Sequence, residues 1–323
     1  MTPPQAQRAV SEPAEIDVYD DDFADALLAG LRSTPKRIPC KYFYDAEGSR
    51  LFEKICALPE YYPTRTELGL LKAHAGEIAK LIGPDSDIIE FGAGAGEKVR
   101  VLLDALERPR AYRPIDISGP YLRGIASRLR ADYPRLAVEP IVADFTAEVA
   151  LPASSGARRI GFFPGSTIGN FDPGEARVFL ADAAKMLKGG GLLIGVDLVK
   201  AGDVLHAAYN DRAGVTASFN KNLLVRANRE AGCNFELTRF AHYACYNPRQ
   251  HRIEMYLVST EAQRVSVSGR AIAFAEAEAI HTEYSYKYTV EDFRALAASA
   301  GFVPRAVWCD ANRLFSIHWL QAA

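Results

Sequence analysis

Few features of this 323-residue chain suit a membrane, a disulfide scaffold or a polyanion. Its five cysteines, Cys40, Cys56, Cys233, Cys245 and Cys309, are scattered, odd in number and never spaced Cys-x-x-Cys. That spacing excludes a disulfide-stapled fold and offers no structural zinc site, so no metal ligands are assigned. Thiols in a reducing compartment are the expectation. No run approaches the ~20 apolar residues of a membrane span, and the opening segment MTPPQAQRAVSEPAEIDVYDDD lacks the basic start and apolar block of a secretory signal. A cytoplasmic protein with a flexible tail over residues 1–20 is expected. The formal net charge of −2 gives no electrostatic reason for a nucleic-acid or anionic-membrane partner. No internal repeat is present. Hydrophobic residues make up 49% of the chain, enough for one large core or two moderate ones.

What is present from about Leu68 is an alternation of helix and strand. LGLLKAHAGEIAKLIG reads as helix, SDIIEFGAG as a short apolar strand ending in glycines, and EKVRVLLDALER as helix again. Further strands are expected at AYRPIDIS, LAVEPIVADF, RRIGFFPGS and GGLLIGVDLV, with helices such as GEARVFLADAAKMLKGGG between them. Strands spaced by helices imply a parallel, doubly wound sheet, whose ligands sit at the strands' carboxyl ends. The alternation stops after Lys200. Up to about Lys287 a mixed helical stretch and strand-like runs (FELTRFAHYACYN, RIEMYLVST, AIAFAEAEAIHTEYSYKY) fit antiparallel pairing. The last segment reads as a capped helix, a glycine stop and two strands that complete the first sheet. The middle region is therefore an insertion, folded together with residues 20–60.

Gly92, Gly94 and Gly96 stand directly after a strand and before a helix, where glycines admit a ligand close to the backbone and the helix start presents free N–H groups. By itself the spacing is a weak signal. Asp116 ends the next strand about twenty residues on, where an acid accepts hydrogen bonds from ribose hydroxyls. Glu90 precedes the glycines, and Asp144 ends a third strand, placed to accept from an adenine amino group while Phe145 covers the ring. These positions favour S-adenosylmethionine over a dinucleotide. A helix N-cap is the structural alternative for Asp144.

The stretch RRIGFFPGSTIGNFDPGEA raises a separate question. An apolar run breaks into Pro164, Gly165, Ser166, Thr167, Ile168, Gly169 and Asn170 before the next helix-forming segment, far more than a strand-to-helix turn requires. A left-handed turn at Gly169 and Asn170 would explain part of it. A polar cradle for a small acceptor molecule would explain all of it.

On EFGAGAGEK and FFPGSTIGN, together with KYFYDAEGSRLFEKICALPEYYPTR, AYND, RIEMYL and HTEYSYKYT, the chain resembles the S-adenosylmethionine-dependent L-histidine Nα-methyltransferases, which form hercynine in ergothioneine biosynthesis. The resemblance runs over residues 38–321. It implies an α/β fold: a Rossmann-like class I methyltransferase domain with a parallel sheet and a terminal antiparallel strand, plus a smaller α+β substrate-binding domain. The implied division gives residues 21–60 and 201–287 to the substrate domain, and 61–200 and 288–323 to the methyltransferase domain. Carried over by motif, Tyr44 and Tyr209 position the α-carboxylate. Asn170, Thr167 and the backbone of Gly165 hold the α-amine. Tyr61, Glu283 and Ser285 read the imidazole, with Met255 shaping that pocket, and Lys98 of EFGAGAGEK joins the cofactor residues.

Each residue also has an ordinary structural reading. Buried tyrosines more often pack with a satisfied hydroxyl than bind ligands. Period-two alternation puts His281, Glu283, Ser285 and Lys287 on one face of a strand, which could equally be a solvated face. Met255 shares a face with Ile253 and Leu257 and is by default core. His281 is assigned no chemistry. In the implied reaction a sulfonium methyl is already activated, so orientation is the protein's main task. The amine must be neutral, and an amide such as Asn170 suits successive methylation better than an Asp, which would hold the ammonium form. No general base is assigned. Other readings stay open: a methyltransferase of this fold for another amino acid or small amine, or a non-catalytic S-adenosylmethionine-binding module. Nucleic-acid methylation is disfavoured, because no Asn/Asp-Pro-Pro-aromatic segment or basic tract occurs. A monomer is expected.

Overall fold

A computed structural model describes residues 20–152 and 156–323. The tail expected over residues 1–20 lies outside the described residues, apart from Asp20 at the start of the first helix. In chain order the elements begin with α1 (Asp20–Arg32), β1 (Lys36–Arg37), α2 (Ala46–Cys56), α3 (Tyr62–Ile82), β2 (Asp87–Phe91), α4 (Glu97–Ala105), β3 (Ala111–Asp116) and α5 (Gly119–Asp132). They continue with β4 (Ala137–Val138), β5 (Ile141–Val142), β6 (Arg159–Phe163), α6 (Pro173–Met186), β7 (Gly191–Asp197), α7 (Gly202–Tyr209) and α8 (Val215–Glu230). The chain closes with β8 (Phe240–Asn247), β9 (Arg252–Ser259), β10 (Gln263–Val267), β11 (Arg270–Phe274), β12 (Ala279–Tyr286), α9 (Val290–Ser299), β13 (Phe302–Cys309) and β14 (Phe315–Ala322).

Eight strands form the main sheet, in the order β13-β14-β7-β6-β2-β3-β4, with β5 also on β3. From β7 to β4 every pairing is parallel, while β14 runs antiparallel to both β7 and β13. β2 and β7 are buried at every position, as strands covered on both faces must be. Neighbouring residues point to opposite faces. Ile88 and Leu193 therefore pack with α3, α4 and α5, whereas Ile89 and Leu192 pack with α6 and α9. The chain order reverses between β2 and β6, so their carboxyl ends open the crevice in which doubly wound sheets bind ligands.

A second sheet, β1-β12-β9-β8, and the β10-β11 hairpin lie outside this one. A third cluster of buried apolar side chains joins residues in 23–62 to residues in 205–280, so the N-terminal segment and the insertion share one core.

Three local expectations are corrected. LAVEPIVADF is not one strand: it breaks at Glu139 and Pro140 into two pieces of two residues each, because proline has no N–H for the ladder. The left-handed turn sits at Gly165 and Ser166, with φ of 82° and 57°, and Thr167–Asn170 forms a 3₁₀ turn instead. The strict alternation along HTEYSYKYT fails at its start, because the register of β12 on β9 shifts between His281 and Glu283. That bulge sends His281 to the opposite face, where its ring lies 3.9 Å from the Tyr284 ring centroid. Glu283, Ser285 and Lys287 stay together on the inner face.

Candidate active site

At the carboxyl end of β2, Gly92 and Gly96 take φ of 76° and 80°, and Gly96 caps α4. Only glycine holds such angles without strain. A Cβ on Gly92 would stand 3.4 Å from the Phe145 ring, so the turn is pared back where it meets that aromatic face. Gly94 is exposed. Glu90 is buried and accepts from the Tyr112 hydroxyl, and burial pushes its carboxyl up to about 8. Asp116, at the end of β3, accepts the Ser118 N–H at 2.9 Å, and burial pushes it up to about 6. Asp144 is not a helix cap. It accepts from the Thr146 N–H at 2.9 Å and pairs with Lys41 at 3.3 Å.

The loop after β6 is clamped from two sides. Its Gly165 N–H donates to the Glu67 carboxylate at 2.8 and 3.0 Å, and the same carboxylate pairs with Lys98 at 2.5 Å. Glu67 is 1% exposed, so one buried acid ties the loop after β6 to helix α4. The carbonyl of Gly165, not its N–H, is left for a ligand. Thr167 donates its hydroxyl to the Pro164 carbonyl at 3.1 Å, which leaves its oxygen free to accept. Across the loop, a Cβ on Gly169 would meet the Tyr286 carbonyl oxygen at 2.6 Å, so this glycine allows the loop to lie against β12.

Between this loop and the core shared by the N-terminal segment and the insertion lies a cavity of about 590 Å³, open space included. Gly165, Thr167, Asn170, Tyr44, Tyr61, Tyr209, Met255, Glu283 and Ser285 all line it, from segments far apart in sequence. Tyr44 follows a short 3₁₀ turn held by Asp45, which caps α2 through the Gly48 N–H and receives Asn222 and Arg229 from α8. Tyr209 is the last residue of α7. Met255 and Glu283 stand opposite each other on β9 and β12. Among the described residues the Asn170 amide, the Tyr44 and Tyr61 hydroxyls and the Glu283 carboxylate have no hydrogen-bond partner. Glu283 is 8% exposed, and burial pushes it up to about 7 against the opposing pull of Lys287.

Four residues that carry this site have no role in the sequence-based assignment: Glu67, Tyr62, Asp197 and Lys287. Asp197 ends β7 and accepts from Tyr62 at 2.7 and 2.8 Å, from Lys200 at 2.6 Å and from Lys287 at 2.8 Å. The two lysines hold its carboxylate below the usual range despite burial. A signal for Asp197 existed, since it closes a strand of the doubly wound sheet. Lys287 shares the period-two face of Glu283. Glu67 gave none, being one acid in a helical stretch.

A doubly wound sheet of this strand order, with a glycine turn after its first long strand, an acid ending the second and a polar acceptor cavity beside them, defines a Rossmann-like class I methyltransferase. The family model of histidine-specific, SAM-dependent methyltransferases matches residues 23–322, and the chain belongs to that family. It is 41% identical over 300 residues to the histidine N-alpha-methyltransferase of Mycolicibacterium smegmatis, covering 90% of this chain and 93% of that protein. It is 39% identical over 290 residues to the enzyme of the same name from Mycobacterium tuberculosis, covering 88% and 90%. A match at 28% identity to ergothioneine biosynthesis protein 1 of Neurospora crassa covers 88% of this chain and 33% of that protein. No helix among the described residues is long and apolar enough to cross a membrane.

Proposed function

We propose that this enzyme transfers three methyl groups in succession to the α-amino nitrogen of L-histidine, giving hercynine for ergothioneine biosynthesis. The observation that carries the substrate choice is Glu283, a buried carboxylate on the cavity wall with no hydrogen-bond partner among the described residues. Such a group needs a donor, and a ring N–H supplies one. The names of the related proteins agree with that choice.

S-adenosylmethionine, when bound, supplies an activated methyl group. The cleft has features that fit it: the glycine turn beside Phe145, the Asp116 carboxylate at the end of β3 and the Asp144 carboxylate beyond it. We assign Glu90, Gly92, Gly94, Gly96, Lys98, Asp116, Asp144 and Phe145 to its binding, with Glu90 and Lys98 acting from beneath the turn. Asn170, the Thr167 oxygen and the Gly165 carbonyl are three acceptors, suited to a neutral amine that still carries hydrogens. Tyr44 offers an unpartnered hydroxyl to the α-carboxylate. The motif assigns Tyr209 to the same task; its hydroxyl is bonded to Ser285 at 2.7 Å, and we propose that it also steadies the ring-reading group, beside Tyr61 and Met255. The segments 21–60 and 201–287 act as the substrate lobe. The enzyme works as a cytoplasmic monomer, with a site built from one chain and five cysteines present as thiols.

The test is mass spectrometry of products after incubation with S-adenosylmethionine and an equimolar panel of the twenty amino acids plus histamine. Three added methyls on histidine alone are expected. Methylation of a different amino acid would overturn the pocket assignment, and no methylation would overturn the enzyme. In the same assay Asn170→Ala should lower kcat roughly a hundredfold, as misplacing a reacting group does. Asn170→Asp should lower it at neutral pH and recover partly at higher pH, because a carboxylate holds the amine as ammonium. Gly169→Ala should also cut kcat by about a hundredfold, since the added methyl drives the loop off β12. Calorimetric titration of the cofactor into that variant should show little change.

A further inference from the structure

Lys287 is not among the residues assigned to the substrate, yet it is 3% exposed on the cavity wall and its three N–H groups have three acceptors. They are Asp197 at 2.8 Å, the Tyr209 hydroxyl at 3.2 Å and the Ser285 hydroxyl at 2.6 Å. An ammonium can only donate. Both hydroxyls must therefore present an oxygen lone pair to Lys287, and their own hydrogens must point elsewhere. The two hydroxyls also bond each other at 2.7 Å, and Tyr209, the stronger acid, is the donor. Ser285 thus accepts twice, from Lys287 and from Tyr209, which uses both of its lone pairs. Its one remaining hydrogen is left for the cavity. Two residues away along the same face, the Glu283 carboxylate can only accept.

We infer that Lys287 is a positioning residue that makes Ser285 a fixed donor, so that Ser285 and Glu283 together select the neutral imidazole ring in one tautomer. A neutral imidazole carries one N–H and one bare nitrogen, the complement of one acceptor and one donor. An imidazolium carries two N–H groups, and one of them would meet the Ser285 hydrogen. The Glu283 carboxylate alone would favour the imidazolium; the Ser285 hydrogen, with the Lys287 charge behind it, opposes that form. Because Asp197 keeps Lys200 and Tyr62, loss of Lys287 does not strand a buried carboxylate. The inference rests on histidine being the substrate.

The experiment is a double-mutant cycle on Lys287→Met and Ser285→Ala, with KM and kcat for L-histidine, the affinity for S-adenosylhomocysteine, and ¹⁵N spectra of ring-labelled histidine bound to each protein at pH 7.5. Each single variant should raise KM about tenfold, the worth of one hydrogen bond, with a smaller change in kcat and unchanged S-adenosylhomocysteine binding. The double variant should match Ser285→Ala, because Lys287 acts through that hydroxyl. Bound to the wild type, the ring should show one N–H resonance and one bare-nitrogen resonance, and in Lys287→Met the two should average. Effects of the two substitutions that multiply, or two N–H resonances in the wild type, would overturn the inference. Failure of the wild type to bind or methylate histidine while it still binds S-adenosylhomocysteine would overturn the proposed function instead, so the two failures are told apart.

Discussion

Replacing Glu283 with alanine is expected to lower kcat/KM for L-histidine about a hundredfold while leaving S-adenosylhomocysteine binding unchanged. The size follows from the loss of one charge-assisted hydrogen bond, about 1.5–3 kcal/mol, in a site where water cannot fully replace it. Steady-state kinetics with calorimetric titration of S-adenosylhomocysteine check it. Equal loss of both would mean that the substitution had damaged the fold. Glu283 also makes activity depend on pH. Its carboxyl, raised to about 7 by burial, accepts from the ring N–H most strongly when ionised, because the bond is then charge-assisted. kcat/KM should therefore rise as pH climbs through about 7, and Glu283→Gln should lack that limb. Any limb left near the ordinary imidazole value of about 6.5 belongs to the substrate.

The same group has the opposite effect on stability. A carboxyl whose value in the folded protein lies above its unfolded value favours folding least when ionised. The cost is absent below the unfolded value of 4.5 and complete above about 7. Its upper size is roughly 3 kcal/mol, from a rise of about two and a half pH units. Glu283→Gln should accordingly melt at a higher temperature than the wild type at pH 8, and at nearly the same temperature near pH 4.5. Bound histidine should narrow that gap in the wild type by giving the carboxylate a donor.

The second large effect is expected at Glu67. Alanine there leaves the Lys98 ammonium and the Gly165 N–H without the acid that serves both. Breaking a buried pair by removing one partner costs about 3–5 kcal/mol of stability, so the melting temperature should fall, and the displaced loop should lower turnover by roughly a hundredfold. Gly195 of β7 leaves the space that Glu67 fills: a Cβ there would lie 2.0 Å from its Oε1. Glu67→Gln keeps that shape and one acceptor for Gly165 but loses the charge. It should retain the melting temperature better than alanine while binding S-adenosylmethionine more weakly, because Lys98 is released from its partner. Melting curves and calorimetric titration separate the two. Unchanged turnover in both variants would show that the acceptor loop holds its shape without the clamp.

Much of the fold was legible because its signals are local. Apolar runs such as DIIEF and GLLIGVD, separated by helix-forming stretches, read as buried parallel strands, and glycines between a strand and a helix mark a ligand turn. Where reading failed, a single non-local event intervened. Pro140 split a strand that hydropathy joins, and a bulge at His281 moved that ring off the face that alternation assigns to it. A bulge is set by the partner strand, so its own segment carries no mark of it.

The sequence by itself determined the layered α/β architecture, the glycine turn with its acidic partners and, through long motifs, the family. Those properties depend on residue type at short spacing. Only the tertiary structure decided which groups share a proton or a charge. Glu67 became the link between the Lys98 helix and the loop after β6, and Lys287 was joined to Tyr209 beside its strand neighbour Ser285, because residues 31 to 98 positions apart meet in buried places. In such a place each polar group must find a partner at hydrogen-bond distance, and the partner is chosen by packing.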